Sequence, residues 1–236
     1  MRGIGPRLVV IALVAACGPV GGSASYEQSR TATQILGDAD LAMISSRSYH
    51  VSIDETAEVG RASADVDVEG ANVSGTIIES GIRARIVHVS DQTFIYGSDL
   101  AQALYITDPR TADKVNTQAH DKWVLVPPET WKTGFGPAID LRGMSSCVKR
   151  LSGVVKKQTT SISGQAAVKL QDPARAEIYV ETAAPHHYVR LWFPTAHGCA
   201  TDATARSQLI SLTRYGARFN ITAPTGYVGL KALAAS

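Results

Sequence analysis

The side chains able to do chemistry are few, and their spacing does not suit catalysis. No Gly-x-Ser-x-Gly nucleophile elbow occurs. Ser145, Ser146 and Cys147 stand together, but nothing near them marks a base. Gly134-Phe135-Gly136-Pro137 begins as a phosphate loop does and then fails, because Pro137 removes an amide and the third glycine is missing. His186, His187, His197 and Cys199 carry donors that suit zinc. Neighbours on a strand point to opposite faces, so His186 and His187 would not share an ion there. Loop histidines are the plainer reading. Asp65, Asp67 and Glu69 form an acidic row on one strand face. Calcium would draw more oxygen ligands from a loop, so the row reads as solvated. No catalytic set, metal or cofactor is expected, and the chain reads as a non-enzyme.

The cysteines say more. Arg2 and Arg7 precede an uncharged apolar run, Leu8 to Ala16, and two small residues stand before Cys17. That is the order of an export signal. The run is far short of the ~20 residues that a membrane-crossing helix needs. Val14-Ala15-Ala16-Cys17 resembles the bacterial lipobox. The resemblance implies that the Cys17 thiol takes a diacylglyceryl group and that acyl chains such as palmitate hold the chain at a membrane. The alternative is a plain secretory signal with a chance cysteine. With Cys17 acylated, Cys147 and Cys199 remain, and outside the cytoplasm they pair most simply as one disulfide. Two buried free thiols are the alternative.

Removing residues 1–16 leaves a length that suits one domain with a sizeable core. The chain has 23 Lys+Arg and 21 Asp+Glu, and the loss of Arg2 and Arg7 brings these level. A neutral chain gives no support for nucleic-acid binding. The charge is unevenly spread. Asp54 to Glu79 holds seven acidic residues and one basic, whereas Arg142 to Lys157 holds five basic and none acidic. The second stretch would orient a domain over anionic headgroups. The preferred reading is two ordinary wet faces.

These few side chains need elements to hold them. Gly18 to about Ser29 lacks an apolar period and reads as a tether. Ile35, Leu36, Ala39, Ala42 and Met43 recur at helical steps and predict a helix from about Thr31 to Ser46. The period then drops to two. Tyr49, Val51 and Ile53 alternate with polar residues, as do Ala62, Ala64, Val66 and Val68. Strands at 73–78, 82–89 and 93–96 follow with links too short for parallel crossovers, which predicts an antiparallel meander. The stretch 99–119 reads as mixed and partly helical, 122–126 as a short Trp strand, and 141–151 as a helix. Further strands are predicted at 158–162, 166–170, 176–181, 188–193, 209–212 and 217–221.

This order of parts resembles a known group. A lipobox and tether lead to a helix ending in Ser48-Tyr49-His50-Val51, then hairpins and Thr93-Phe94-Ile95-Tyr96. Lys122-Trp123-Val124-Leu125-Val126-Pro127 follows, and Tyr215-Gly216-Ala217-Arg218-Phe219-Asn220-Ile221-Thr222-Ala223-Pro224 stands near the end. The chain is similar to actinobacterial lipoproteins of the LppX/LprG-like group, whose fold is like that of the LolA and LolB carriers. The resemblance implies an α+β fold: a strongly curved antiparallel half-barrel sheet with helices across its concave face. It also implies a lipid-anchored protein on the extracytoplasmic face of the cell membrane, with a lipid or glycolipid ligand between sheet and helices and possible lipid transport. On that expectation, residues 1–16 are the signal, 17–29 the lipidated cysteine and tether, and 30–236 a single domain. The expected cavity lining is Ala64, Val66, Val68, Ile77, Ile86 and Phe94, facing Leu36, Met43 and Leu104. The competing expectation is a tethered interaction lipoprotein with a filled core and an envelope protein as its partner.

Overall fold

In the computed structural model the described residues are 25–57, 60–79, 81–97, 99–104, 106–132, 136–194, 199 and 207–235. The signal and Cys17 lie outside them. The expected tether is shorter at its far end, because α1 (Tyr26–Ser29) is a helical turn packed on the domain.

Thr31 and Gln34 form a reciprocal cap for α2 (Ala32–Ser45). Thr31 Oγ1 accepts from the Gln34 amide at 3.2 Å, and Gln34 Oε1 accepts from the Thr31 amide at 2.9 Å. The chain then enters β1 (Ser48–Ala57), β2 (Gly60–Glu69), β3 (Asn72–Glu79), β4 (Ile82–Val89) and β5 (Gln92–Tyr96). Two helices, α3 (Leu100–Ala103) and α4 (Pro109–Ala119), precede β6 (Val124–Val126). The Asp108 carboxylate caps α4 by accepting from the Thr111 amide at 2.8 Å, with Pro109 in the first turn where no amide is missed. Short turns α5 (Pro128–Thr130) and α6 (Gly136–Ala138) lead to α7 (Leu141–Val148). The second run of strands is β7 (Val155–Ile162), β8 (Gln165–Gln171), β9 (Glu177–Glu181), β10 (Tyr188–Pro194) and β11 (Ser207–Thr213). The chain closes with β12 (Val228–Gly229) and α8 (Leu230–Ala235).

The twelve strands among the described residues form one open sheet in the order β12-β6-β5-β4-β3-β2-β1-β11-β10-β9-β8-β7. Every pair is antiparallel except β12 with β6. Two meanders, β1 to β6 and β7 to β11, are thus joined through β1 and β11. The sheet is the curved antiparallel half-barrel expected of the LppX-like fold, and it does not close.

Pairing fixes which side chains share a face. Tyr49, Val51 and Ile53 stand opposite Val68, Val66 and Ala64 across β2, and Val51 and Ile53 opposite Leu212 and Ile210 across β11. These inward residues, with Leu170, Ile178, Leu191 and Phe193, meet Ile35, Leu36, Ala39 and Met43 of α2 and Met144 and Val148 of α7 in one apolar cluster. A second cluster lies at the other end of the same face. There Ala84, Ile95, Val124 and Val126 pack with Leu100, Ala101, Val115, Ala119 and Leu233 from α3, α4 and α8. Helices therefore cover the concave face in two groups.

At Gly75 strands β2 and β3 approach closely. A Cβ there would stand 2.2 Å from the Asp65 carbonyl oxygen and 2.7 Å from Val66 Cγ1. Only glycine lets β3 come that close to β2.

The strand predicted at 217–221 is absent. Residues 214–227 instead form an irregular strap along one end of the sheet. The Gly216 amide donates to the Ser48 carbonyl at 3.0 Å, and the Phe219 and Asn220 amides donate to the Glu69 carboxylate. Side-chain acceptance replaces a ladder, and Asn220 at φ +53° breaks the extended run.

Candidate functional site

On β2, β3 and β4 the concave-face residues run from the first cluster to the second: Ala64 packs at the margin of the first, Ala84 belongs to the second, and Ile77 and Ile86 fall in neither. Register places Ala64 beside Ile77, and Ile77 beside Ala84. Val66 faces Gly75, and Gly75 faces Ile86. Val66 and Ile86 are buried, while Ala64 and Ile77 are only half-buried. Val68 lies further along the same face at 6% exposure. Leu36 and Met43 of α2 are buried in the first cluster, at 0% and 1% exposure. Leu104, just after α3, is half-buried against the second cluster on the far side.

Phe94 is a correction. It pairs with Val87 and Leu125, which puts it on the convex face. Its ring meets Tyr227 of the strap at 5.0 Å between centroids. Strands β4 and β5 present Ile86, Thr93 and Ile95 inward instead, because the ladder alternates from one residue to the next.

Three polar residues that sequence reading missed lie on the same face. His88 is buried on the concave face, with Nδ1 2.9 Å from Thr93 Oγ1. Its ring lies flat on Trp131, with centroids 3.8 Å apart. Burial lowers its pKa from the ordinary histidine value, and Asp91 opposes the shift. The imidazole is thus kept neutral, a polar group in apolar surroundings. At the other end of the face, Gln208 Nε2 donates to Glu55 Oε2 at 3.1 Å. The signal for His88 was present, since it continues the inward series Ala84, Ile86, His88.

The lid helices are held by a buried clamp. Asp40 on α2 is 1% exposed. It accepts from Ser145 Oγ and pairs with Lys149 Nζ, each at 2.9 Å, which ties α2 to α7. A buried carboxylate satisfied on both oxygens holds position at little net cost, whereas one left alone would be strongly destabilising. Tyr215 OH donates to the Tyr188 carbonyl at 2.8 Å beneath the same helices, and burial raises the pKa of both tyrosines. Cys147 at the end of α7 is joined to Cys199 by a disulfide.

The histidine set does not converge. His186 stacks on Tyr26 and His187 on Tyr215, with centroids 3.7 and 3.8 Å apart. His187 Nδ1 also meets Glu181 Oε1 at 2.8 Å. His197 lies outside the described residues. Among the described residues no His, Cys, Asp or Glu group is arranged to hold a metal ion. Asp65 and Asp67 face outward towards His50, and Arg214 stands 3.5 Å from Asp67. No described helix is long and apolar enough to cross a membrane.

No protein-family model matches the chain, and no curated protein matches its sequence. Solved structures do match. The crystal structure of LprF from Mycobacterium bovis superposes with a TM-score of 0.57 at 16% identity, over 82% of this chain and 97% of that one. The Mycobacterium tuberculosis lipoprotein LppX gives a TM-score of 0.52 at 15% identity, over 80% of this chain and 97% of that one. The group named on sequence grounds and the structures found by shape therefore agree: the chain has the fold of LprF and of the lipoprotein LppX.

Proposed function

We propose that the chain is an envelope lipoprotein, anchored through Cys17, that binds an amphiphile between its curved sheet and its helices. The observation that carries this reading is the half-buried concave strip of Ala64 and Ile77. It lies at the margin of the first apolar cluster, with neutral His88 and the Glu55–Gln208 pair as further polar groups on the same face. An acyl chain entering such a strip gains about 0.8 kcal/mol per buried methylene, so ten methylenes contribute roughly 8 kcal/mol before ordering costs. No bond need be made or broken. A lipid or glycolipid is the ligand class, and its transfer across the space beyond the membrane is the service rendered.

One observation favours a second reading, a tethered interaction lipoprotein with a filled core. Leu36, Met43 and Val66 are already buried in one apolar cluster, at no more than 1% exposure. Native mass spectrometry of the chain purified from a lipid-rich bacterial envelope separates the two. We expect a solvent-extractable mass above the denatured value, and expect it to fall severalfold in Ile77→Trp at unchanged melting temperature. A clean apo mass after incubation with envelope lipids would overturn the cargo reading in favour of the second.

A further inference from the structure

The helix that closes the concave face is not polar on its outer side. Thr33, Gly37, Leu41 and Ile44 follow at steps of four, four and three, so they line one stripe of α2 opposite Ile35, Leu36, Ala39 and Met43. Leu41 and Ile44 are 63% and 52% exposed. Single exposed leucines are ordinary, but two large apolar side chains one turn apart on a lid helix form a patch.

Basic side chains flank that patch. The Asp40–Lys149 pair sets α7 beside α2, and α7 and its C-terminal end carry exposed Arg142, Lys149 and Arg150. Lys156 is exposed on the edge strand β7. Acidic residues near the patch are engaged: Asp40 in the clamp, and Asp38 with Arg30 and the Tyr26 hydroxyl. Asp140 accepts from the Gly143 amide, and Glu27 sits half-buried in α1. The start of the domain lies on the same side, because Lys156 Nζ donates to the carbonyls of Glu27 and Arg30. Eight Cα-to-Cα steps lead from Cys17 to Ser25, a reach of at most about 29 Å.

We propose that this face of α2, with its rim of basic residues from α7 and β7, docks on an anionic lipid surface. It lays the lid helix on the leaflet that holds the Cys17 anchor. The proposal rests on the anchor reading and is independent of the cargo. A lipid surface answers both halves of the patch: apolar side chains enter the boundary below the headgroups while Arg142, Arg150 and Lys156 meet their charge. A tether this short gives an effective concentration on the order of millimolar, so a small patch suffices. The acidic row Asp65 and Asp67 stands on the opposite, convex face of the sheet, away from the repelling surface.

The test uses the lipidated chain carrying Ile44→Cys labelled with a polarity-sensitive dye, on vesicles of phosphatidylcholine with or without 30% phosphatidylglycerol. Flotation reports the anchor, and dye emission reports the face. We expect a blue shift on the anionic vesicles. None is expected for the same dye at Asp65→Cys, and the shift at 44 should be lost in Leu41→Ser/Arg142→Gln/Arg150→Gln. In a chain begun at residue 17 with Cys17→Ser, the same shift should appear at higher lipid, with apparent affinity at least tenfold weaker in the triple variant. Unshifted emission at 44 in both chains overturns the docking face, whether or not the lipidated chain floats. A shift that follows protein concentration and ignores lipid overturns it too, and assigns the patch to a second copy.

Discussion

His88 joins an ionisable ring to an apolar floor, so acid should act through it. Burial depresses its folded pKa, and the unfolded value is the ordinary 6.5. Below that value the unfolded chain binds more protons than the folded one, so stability must fall as pH drops. The contribution is present in full above about pH 6.5 and is lost as pH falls through the folded pKa, at about 1.4 kcal/mol per unit of separation. Urea midpoints at pH 7.5 and pH 5 should therefore differ more for the native chain than for His88→Gln. Equal acid sensitivity would remove His88 from the account. Single residues also mark where alternation misleads. In Thr93-Phe94-Ile95-Tyr96 the larger apolar side chain, Phe94, suggests the core, yet Thr93 and Ile95 take the inward places. Phe94 is buried from outside by Tyr227, which is 133 positions away and beyond any local signal.

Elements were legible wherever period and punctuation agreed. The α2 stripe, the β1–β5 meander and α7 followed from spacing alone, because each buries one face against a single partner. The strap 214–227 was not, since its extended backbone bonds to the Glu69 side chain and its period reflects no ladder. Nor was β12, whose two residues matter only by pairing with β6. Among the elements, α7 has the sharpest dependence on a covalent link. The Cys147–Cys199 bridge spans 52 positions, and a loop of that size restrains the unfolded chain by about 4 kcal/mol. The Cys147→Ser/Cys199→Ser chain should melt several degrees lower. An unaltered melting temperature would mean that the clamp at Asp40 and the packing of Met144 and Val148 hold α7 without the bridge.

At the scale of the whole molecule, periodicity supplied the ingredients, many alternating strands and a few amphipathic helices, and the resemblance to the LppX/LprG-like group implied that they form a curved sheet with helices across one face. The sequence did not show that β1 lies between β2 and β11, since nothing in either strand names a partner so distant. That join has a kinetic consequence. Val51 finds Val66 within one hairpin but must meet Leu212 across about 160 residues. The two meanders have local contacts and can form early, so the β1–β11 pairing should be the last to set. Pulsed hydrogen exchange during refolding should protect the amides of β2 to β4 before the β11 amides that face β1, and simultaneous protection would refute that order. Until the last third of the chain arrives, β1 stands with one row of amides and carbonyls unpaired. A stalled or clipped chain would then carry an adhesive edge, and its hazard would be aggregation rather than simple loss of binding.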